Sequence, residues 1–206
     1  MAMVKATLQT ALIAVFNSMG SSGNNTVFSN GISNAVVDLV SSGDVSTNDY
    51  GIIPTGTFTG DGKGKLTVTA TACAKIIKDA CDLMVDEEHG NDFLAEQIGA
   101  GIQKMADDGT VSTTVSGECV TPQGSTISDY TGVATGSISC DSSDLISDLK
   151  DIFKQMYDNK DSPSYDGNLR LAEAMADSIY DFWANGTVST SGEGNLEGSS
   201  GTGSIS

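Results

Sequence analysis

The sequence predicts an α+β fold built from three tandem repeats, each a helical hairpin followed by a β-ribbon rich in Gly, Ser and Thr. Three observations predict it: the tripeptide Val-Ser-Thr occurs three times, the same apolar pattern precedes each copy, and a short Gly-containing segment follows each copy. Recurrence of this kind is the sequence signature of a repeated structural unit. We place the repeats at residues 1–70, 71–140 and 141–206.

The Val-Ser-Thr tripeptide sets the register of the predicted repeats. It begins at Val45, Val111 and Val188, and in every copy the residues 17, 13, 9 and 6 positions before the Val are apolar. These residues are Phe28, Ile32, Val36 and Leu39, then Leu94, Ile98, Ile102 and Met105, then Leu171, Met175, Ile179 and Phe182. Steps of four, four and three residues follow one face of an α-helix, so an amphipathic helix is predicted before each tripeptide.

Each predicted helix has a partner before it and a glycine after it. Earlier apolar segments at 8–19, 76–84 and 145–156 predict a first helix in every repeat. Gly43, Gly109 and Gly186 follow the second helices, where a helix end often needs a residue with positive φ. The sequence therefore predicts three helical hairpins, each ended by a glycine.

Alternating residues after the tripeptide predict the β-ribbons. In Val111–Val115 the odd positions, which are Val, Thr and Val, lie on one face of a strand. A second short element closes each ribbon, at 64–67, 136–139 and 203–206. The distance from the Val to the first Gly of this element is 19, 25 and 15 residues, so the loop at the tip of the ribbon is predicted to vary in length.

The charge of the chain and the lengths of its apolar segments argue against two classes of partner, nucleic acids and membranes. Ten Lys and Arg against 27 Asp and Glu give a net charge of −17, and nucleic-acid-binding surfaces need the opposite sign. The chain has no run of 18 apolar residues, which is about the length that a membrane-spanning helix needs. The N-terminal segment 1–20 resembles a signal peptide, but Gln9 and Thr10 interrupt its apolar part and it aligns with the internal helices. We expect neither a nucleic-acid nor a membrane partner.

The candidate functional motifs lack the residue spacing that nucleotide or metal binding requires. We therefore predict no catalytic, cofactor-binding or metal-ligating residue. Gly60–Lys65 resembles a phosphate-binding loop but lacks the Walker spacing, and we predict a ribbon turn there. Residues 86–92 form a dense acidic segment that holds His89, the single His of the chain, without the spacing of a calcium loop. A solvated loop between helices is predicted there. Because a Ser or Cys nucleophile would have to use this one His, we expect no enzyme.

The cysteines and one aromatic residue leave alternatives open. Cys73, Cys81, Cys119 and Cys140 lack metal-ligand spacing, and buried free thiols are the first interpretation. The second is a Cys119–Cys140 disulfide that closes the middle ribbon. Trp183 belongs to a group of aromatic residues predicted to form the core of the third repeat, and it is also a candidate anchor for an interface.

Several features of the ribbons and helices together resemble those of a known class of proteins. Each begins with Gly-x-Val-Ser-Thr, two end in Gly-Ser-Ile-Ser, aromatic residues are few and the helices are acidic. In these features the chain resembles small virion structural proteins of tailed bacteriophages, especially contractile-tailed marine phages, over all three predicted repeats. The resemblance implies a place in the capsid, neck, tail or baseplate after synthesis in the host cytoplasm. It implies no catalytic residues and no cofactor.

Two functions are therefore expected from the sequence. The first is a non-enzymatic structural or assembly component of a virion, which bridges neighbouring subunits of a symmetric oligomeric assembly of virion proteins through its β-ribbons. The ribbons would do so by extending a neighbour's sheet. The alternative is an adhesin or secreted binding module whose ribbon tips bind a glycan or cell surface. The alternative predicts a Cys119–Cys140 disulfide, whereas the virion hypothesis predicts free thiols.

Overall fold

The computed structural model describes residues 2–19, 23–86, 90–159 and 166–206. Within these ranges, two helices and two strands follow one another three times along the chain. The helices are α1 (Lys5–Met19), α2 (Asn25–Ser42), α3 (Thr71–Asp86), α4 (Asn91–Asp107), α5 (Ser143–Asn159) and α6 (Gly167–Ala184). The strands are β1 (Val45–Ile53), β2 (Gly56–Thr67), β3 (Thr110–Val120), β4 (Thr126–Ser139), β5 (Thr187–Glu193) and β6 (Ser199–Ile205).

The strands form one closed antiparallel barrel in the order β1-β2-β3-β4-β5-β6. Three of the six pairings are hairpins, and the pairings β2–β3, β4–β5 and β1–β6 join one hairpin to the next. Val45 pairs with Ile205 where the barrel closes. Beside them, the Asp44 N–H donates to the Ser206 carbonyl oxygen at 2.9 Å, and the Ser206 N–H donates to the Asp44 carbonyl oxygen at 3.0 Å. The first and last strands are thus joined by backbone hydrogen bonds.

The predicted fold of three tandem helix-hairpin-and-ribbon repeats is wrong, because the strands belong to one barrel rather than to three ribbons. The physical reason is the edge of the strand. A two-stranded ribbon leaves unpaired N–H and C=O groups along both sides and is only marginally stable in water. Pairing each hairpin with the next satisfies these groups, and closing the circle removes the last two edges.

The helices form a second closed circle. Each of the six packs against the next along the chain, and α6 packs against α1. α2, α4 and α6 also contact the barrel, through β2, β4 and β6 respectively. The ring of helices therefore covers one end of the barrel, which we call the proximal end. None of the described helices is long and apolar enough to cross a membrane.

The core has two parts. The larger apolar cluster joins the inner faces of the helices to six side chains inside the proximal end of the barrel: Val45, Leu66, Val111, Ile138, Val188 and Ile205. The smaller cluster fills the opposite, distal end with Ile53, Phe58, Val115, Cys119, Ala134 and Leu196. The barrel is therefore packed with side chains at both ends.

Glycines follow the second helix of each pair for a reason other than the predicted one. Gly43 has a φ of −75°, and neither Gly109 nor Gly186 is among the glycines with positive φ. A Cβ on Gly43 would meet Ile205, one on Gly109 would meet Leu66, and one on Gly186 would meet Ile138. A side chain at these glycines would therefore press on apolar residues of the proximal barrel, and the glycines do not supply a left-handed backbone.

Candidate functional site

A buried polar layer lies between the two apolar clusters of the barrel. It contains Thr47, Thr113 and Thr190, the third residues of the three Val-Ser-Thr tripeptides, together with Asp49. The four side chains are between 1% and 4% exposed. Each Thr is two residues beyond the Val of its tripeptide, so strand alternation places both on the inside of the barrel.

Asp49 is the centre of this layer. The Thr47 hydroxyl donates to Asp49 Oδ2 at 2.5 Å, and the Thr190 hydroxyl donates to Asp49 Oδ1 at 3.1 Å. The Thr113 hydroxyl instead donates to the Ala134 carbonyl oxygen at 3.4 Å. Each carboxylate oxygen therefore accepts one hydroxyl hydrogen bond, which reduces the cost of burying the charge.

Glycines on the neighbouring strands make room for the carboxylate. A Cβ at Gly62 would meet the Thr47 hydroxyl, and a Cβ at Gly201 would meet Asp49 itself. No role is predicted for Asp49 from the sequence. Counting alternate residues onward from Val45 would have placed it inside the barrel, but nothing local to Asp49 identifies the Thr on β5 as its partner.

The chemistry of the polar layer is limited by its composition. Asp49 is the one buried carboxylate among the residues that the structure describes, and the other members of the layer are hydroxyls. Within the described ranges, no group of three or more His, Cys, Asp or Glu side chains is arranged to hold a metal ion. The layer offers hydrogen bonds that fix the strands, and we assign it a structural role.

The segment that resembles a phosphate-binding loop lies inside a strand. Gly60–Lys65 is part of β2, so the predicted ribbon turn is wrong. Gly60, Gly62 and Gly64 face the barrel interior and the residues between them face outward. Lys65 Nζ donates to the Gly43 carbonyl oxygen at 2.7 Å and lies 2.7 Å from Asp44 Oδ1, which ties β2 to the end of α2.

Acidic side chains do not assemble a site in the described part of the chain. His89 and its neighbours 87 and 88 lie outside the described residues, and α4 begins at Asn91 just after them. Elsewhere, a groove between α5 and α6 is lined by four carboxylates, those of Asp141, Asp144, Asp148 and Asp181. No buried unpartnered group points into this groove, so it is an acidic surface.

Cys119 and Cys140 are not bonded, so the predicted alternative of a disulfide between them is wrong. Cys119 belongs to the apolar cluster at the distal end, whereas Cys140 packs against the cluster under the helices. Burial raises the pKa of Cys140 to about 12, with a further contribution from the charge of Asp107. Burial also raises the pKa of Cys73 to about 11. Both groups are thiols rather than reactive thiolates at neutral pH.

Trp183 is 0% exposed and lies in the core beneath the helices, which confirms the prediction of a core residue and shows that the alternative of an interface anchor is wrong. Its ring meets Phe182 edge to face, with centroids 5.2 Å apart. Its Nε1 has no hydrogen-bond acceptor among the described residues. The residue five positions before the tripeptide Val is Val40, Ala106 or Trp183 in the three copies, so the Trp fills one side of the core with a much larger side chain.

The outer wall of the barrel carries mainly hydroxyl groups. Outward positions of β1 to β6 are exposed and are mostly Ser or Thr. Tyr50 and Ile52 on β1 are the main departures, with 69% and 78% of their surface exposed. Val120 on β3 and Val133 on β4 are 44% and 46% exposed. The outer wall of the barrel is therefore rich in hydroxyl groups, with a few apolar and a few charged side chains.

Comparison with known proteins adds no family. No protein-family model, curated protein or solved structure matches this chain.

Proposed function

We propose that this chain is a non-enzymatic structural component of a tailed-phage particle, which joins neighbouring subunits of a symmetric assembly. One observation carries the proposal: the same contacts recur three times around a single chain. The helix–barrel contacts α2–β2, α4–β4 and α6–β6 recur, as do the contacts of Gly43, Gly109 and Gly186 with the proximal barrel. A body with near-threefold internal symmetry offers similar faces in three directions, which suits a position among symmetry-related subunits.

The filled interior also supports this proposal. Both ends of the barrel are packed with apolar side chains, and a hydrogen-bonded polar layer lies between them. An enzyme or small-molecule carrier of this architecture would need a cavity with convergent polar groups. The side chains that can contact another molecule therefore lie on the outer surface of the barrel and helices, as we expect for an assembly protein.

The route of contact differs from the one expected from ribbons with free edges. Each strand pairs with a neighbour on both sides, so an edge to which another sheet could be added is left mainly where β4 extends beyond its pairing with β5, at 126–132. Contacts with neighbours would instead be made by side chains on the outer wall of the barrel, at its distal end, and on the helices. Removing residues 191–206 would delete β6 and open the barrel, so surface substitutions are the suitable variants.

The proposal is tested by protein composition. Particles of the phage that encodes this chain are purified through two different density gradients and analysed by quantitative mass spectrometry. We expect the chain to be present in a constant ratio to the major particle proteins in both preparations. Its absence from particles, when it is present in the infected cells, would contradict the proposal.

A further inference from the structure

The outer face of the distal barrel carries the most exposed apolar side chains of the described chain. Tyr50 and Ile52 both point outward from β1 and are 69% and 78% exposed. Ile52 pairs with Thr57 on β2, and Thr57 pairs with Val120 on β3, so an outward row of Ile, Thr and Val crosses three strands. In the next row Tyr50 pairs with Thr59. We call these five residues, Tyr50, Ile52, Thr57, Thr59 and Val120, the distal patch.

The charged residues of the strands nearest to the distal patch are acidic. Glu118 follows Thr59 in the same outward row, and Asp61 lies one row closer to the helices. Glu197 is next to Gly198, where a Cβ would meet the carbonyl oxygen of Ile52. All three acidic residues are exposed. The patch is therefore apolar at its centre and negative at its rim.

Basic residues of the barrel lie away from this patch. The six strands contain two, Lys63 and Lys65, and both are on β2 toward the proximal end. Lys63 pairs with Ser46, four residues before Tyr50, and Lys65 is held by Gly43 and Asp44. Lys63 lies two residues from Asp61 on the outward face of β2 and can offset its charge. No basic residue of the strands lies in the rows of Tyr50 and Ile52, so Glu118 and Glu197 keep the rim negative.

From this arrangement we infer that the distal patch docks a segment of a partner protein that presents apolar side chains flanked by Lys or Arg. Burying Tyr50 and Ile52 supplies the apolar contribution to binding, since large apolar residues at a surface centre contribute most of the energy. The carboxylates of Glu118 and Glu197 select a partner of opposite charge. The inference rests on the proposed assembly function, for which it names the contact surface and the chemistry of the neighbour.

Charge also excludes other occupants. A second copy of the chain carries the same net charge of −17, and its own distal patch has the same acidic rim. Two such surfaces would repel each other, as would nucleic acid or an anionic lipid surface. A basic protein segment is the occupant that satisfies both the apolar centre and the acidic rim.

The test uses the full-length chain and a fluorescent synthetic peptide in which Lys alternates with Leu. The double variant Tyr50→Ser with Ile52→Ser removes the apolar centre, and the control Val133→Ser removes an apolar side chain of the same wall. Val133 lies on β4, three strands from β1 in either direction round the barrel. We expect the Kd of the peptide to rise about tenfold in the double variant and to stay unchanged in the control. Equal Kd values for all three proteins would overturn the inference.

Two further readouts make the test specific. Because the substituted side chains are exposed, circular dichroism and thermal unfolding should be the same for all three proteins. A peptide that alternates Glu with Leu should not bind, and binding of this peptide would contradict the assigned charge. The presence of the chain in particles is a separate measurement. A chain found in particles whose double variant binds the Lys peptide normally would contradict the patch but not the assembly function.

Discussion

Thr47, Thr113 and Thr190 occupy the same position of the same tripeptide, yet they do not share one role. Two donate to the carboxylate of Asp49, and the third donates to a backbone carbonyl. The alternation of the strand predicts that all three face one side. It cannot predict their partners, because the residues equivalent to Asp49 in the other two copies are Val115 and Gly192. The sequence therefore reveals the tripeptides but not the buried carboxyl group that two of them support.

A matched pair of substitutions separates these roles. Thr190→Val removes one of the two hydroxyl donors to a buried carboxylate, and we expect the free energy of unfolding to fall by about 1–3 kcal/mol. Thr113→Val removes only a long hydrogen bond to a carbonyl, and we expect a loss below about 1 kcal/mol. Urea unfolding of both variants measures the difference. Equal losses would mean that Asp49 does not depend on Thr190.

At the scale of the element, the pattern of glycines shows what local sequence can and cannot tell. Apolar spacing predicted an amphipathic helix before each tripeptide, and α2, α4 and α6 lie there. The glycines after these helices were correctly located but wrongly explained. A Cβ at these glycines would meet Ile205, Leu66 and Ile138, which are distant in sequence and belong to different strands. Such a contact has no local signature.

The glycines inside the strands lead to a prediction. A Cβ at Gly136 would meet the carbonyl oxygen of Ser189 on the next strand, whereas Ser137 points outward and is exposed. We expect Gly136→Val to lower the free energy of unfolding by at least about 2 kcal/mol, because the strands cannot separate without losing their hydrogen bonds. We expect Ser137→Val to change it by less than about 0.5 kcal/mol. Chemical unfolding of both variants would reject this account if the two had similar stability.

The start of α5 has a pH-dependent contribution to stability. Asp141 Oδ1 accepts hydrogen bonds from the Ser143 hydroxyl at 2.7 Å and the Ser143 N–H at 2.9 Å, and these bonds lower the pKa of Asp141 below 3.8. A lowered pKa in the folded chain stabilises it above pH 3.8, and this contribution is lost as the pH falls through the folded value. We expect Asp141→Ala to lower the melting temperature at pH 7, with a smaller difference from the native chain below pH 3.8.

Asp141→Asn is the control for this experiment, because it keeps an acceptor oxygen but does not titrate. We expect it to lose less stability than Asp141→Ala at pH 7. A difference between the native chain and Asp141→Ala that stays the same at every pH would show that the charge of Asp141 does not act at this helix end.

At the scale of the whole molecule, two closed circles define the fold. The strands close through β1 and β6, and the helices close through α1 and α6. Local patterns predicted where helices and strands occur, since amphipathic spacing and alternation are properties of short segments. They could not predict that the hairpins pair with each other, because pairing between hairpins leaves no mark within any one of them. The fold prediction failed at that step.

Closure of the barrel is the central claim, and nuclear Overhauser contacts across the β1–β6 seam test it most directly. In the isotope-labelled full-length chain, we expect backbone contacts between Asn48 and Thr202 and between Ser46 and Ser204, in addition to the hairpin contacts of β1 with β2. We also expect amide protons along β1 and β6 to exchange slowly with solvent. The contradicting result has two parts: β1 and β6 would each show contacts only with their hairpin partners, and the amide protons that face the β1–β6 seam would exchange rapidly. In that case the strands would form separate ribbons, and the closed barrel would be wrong.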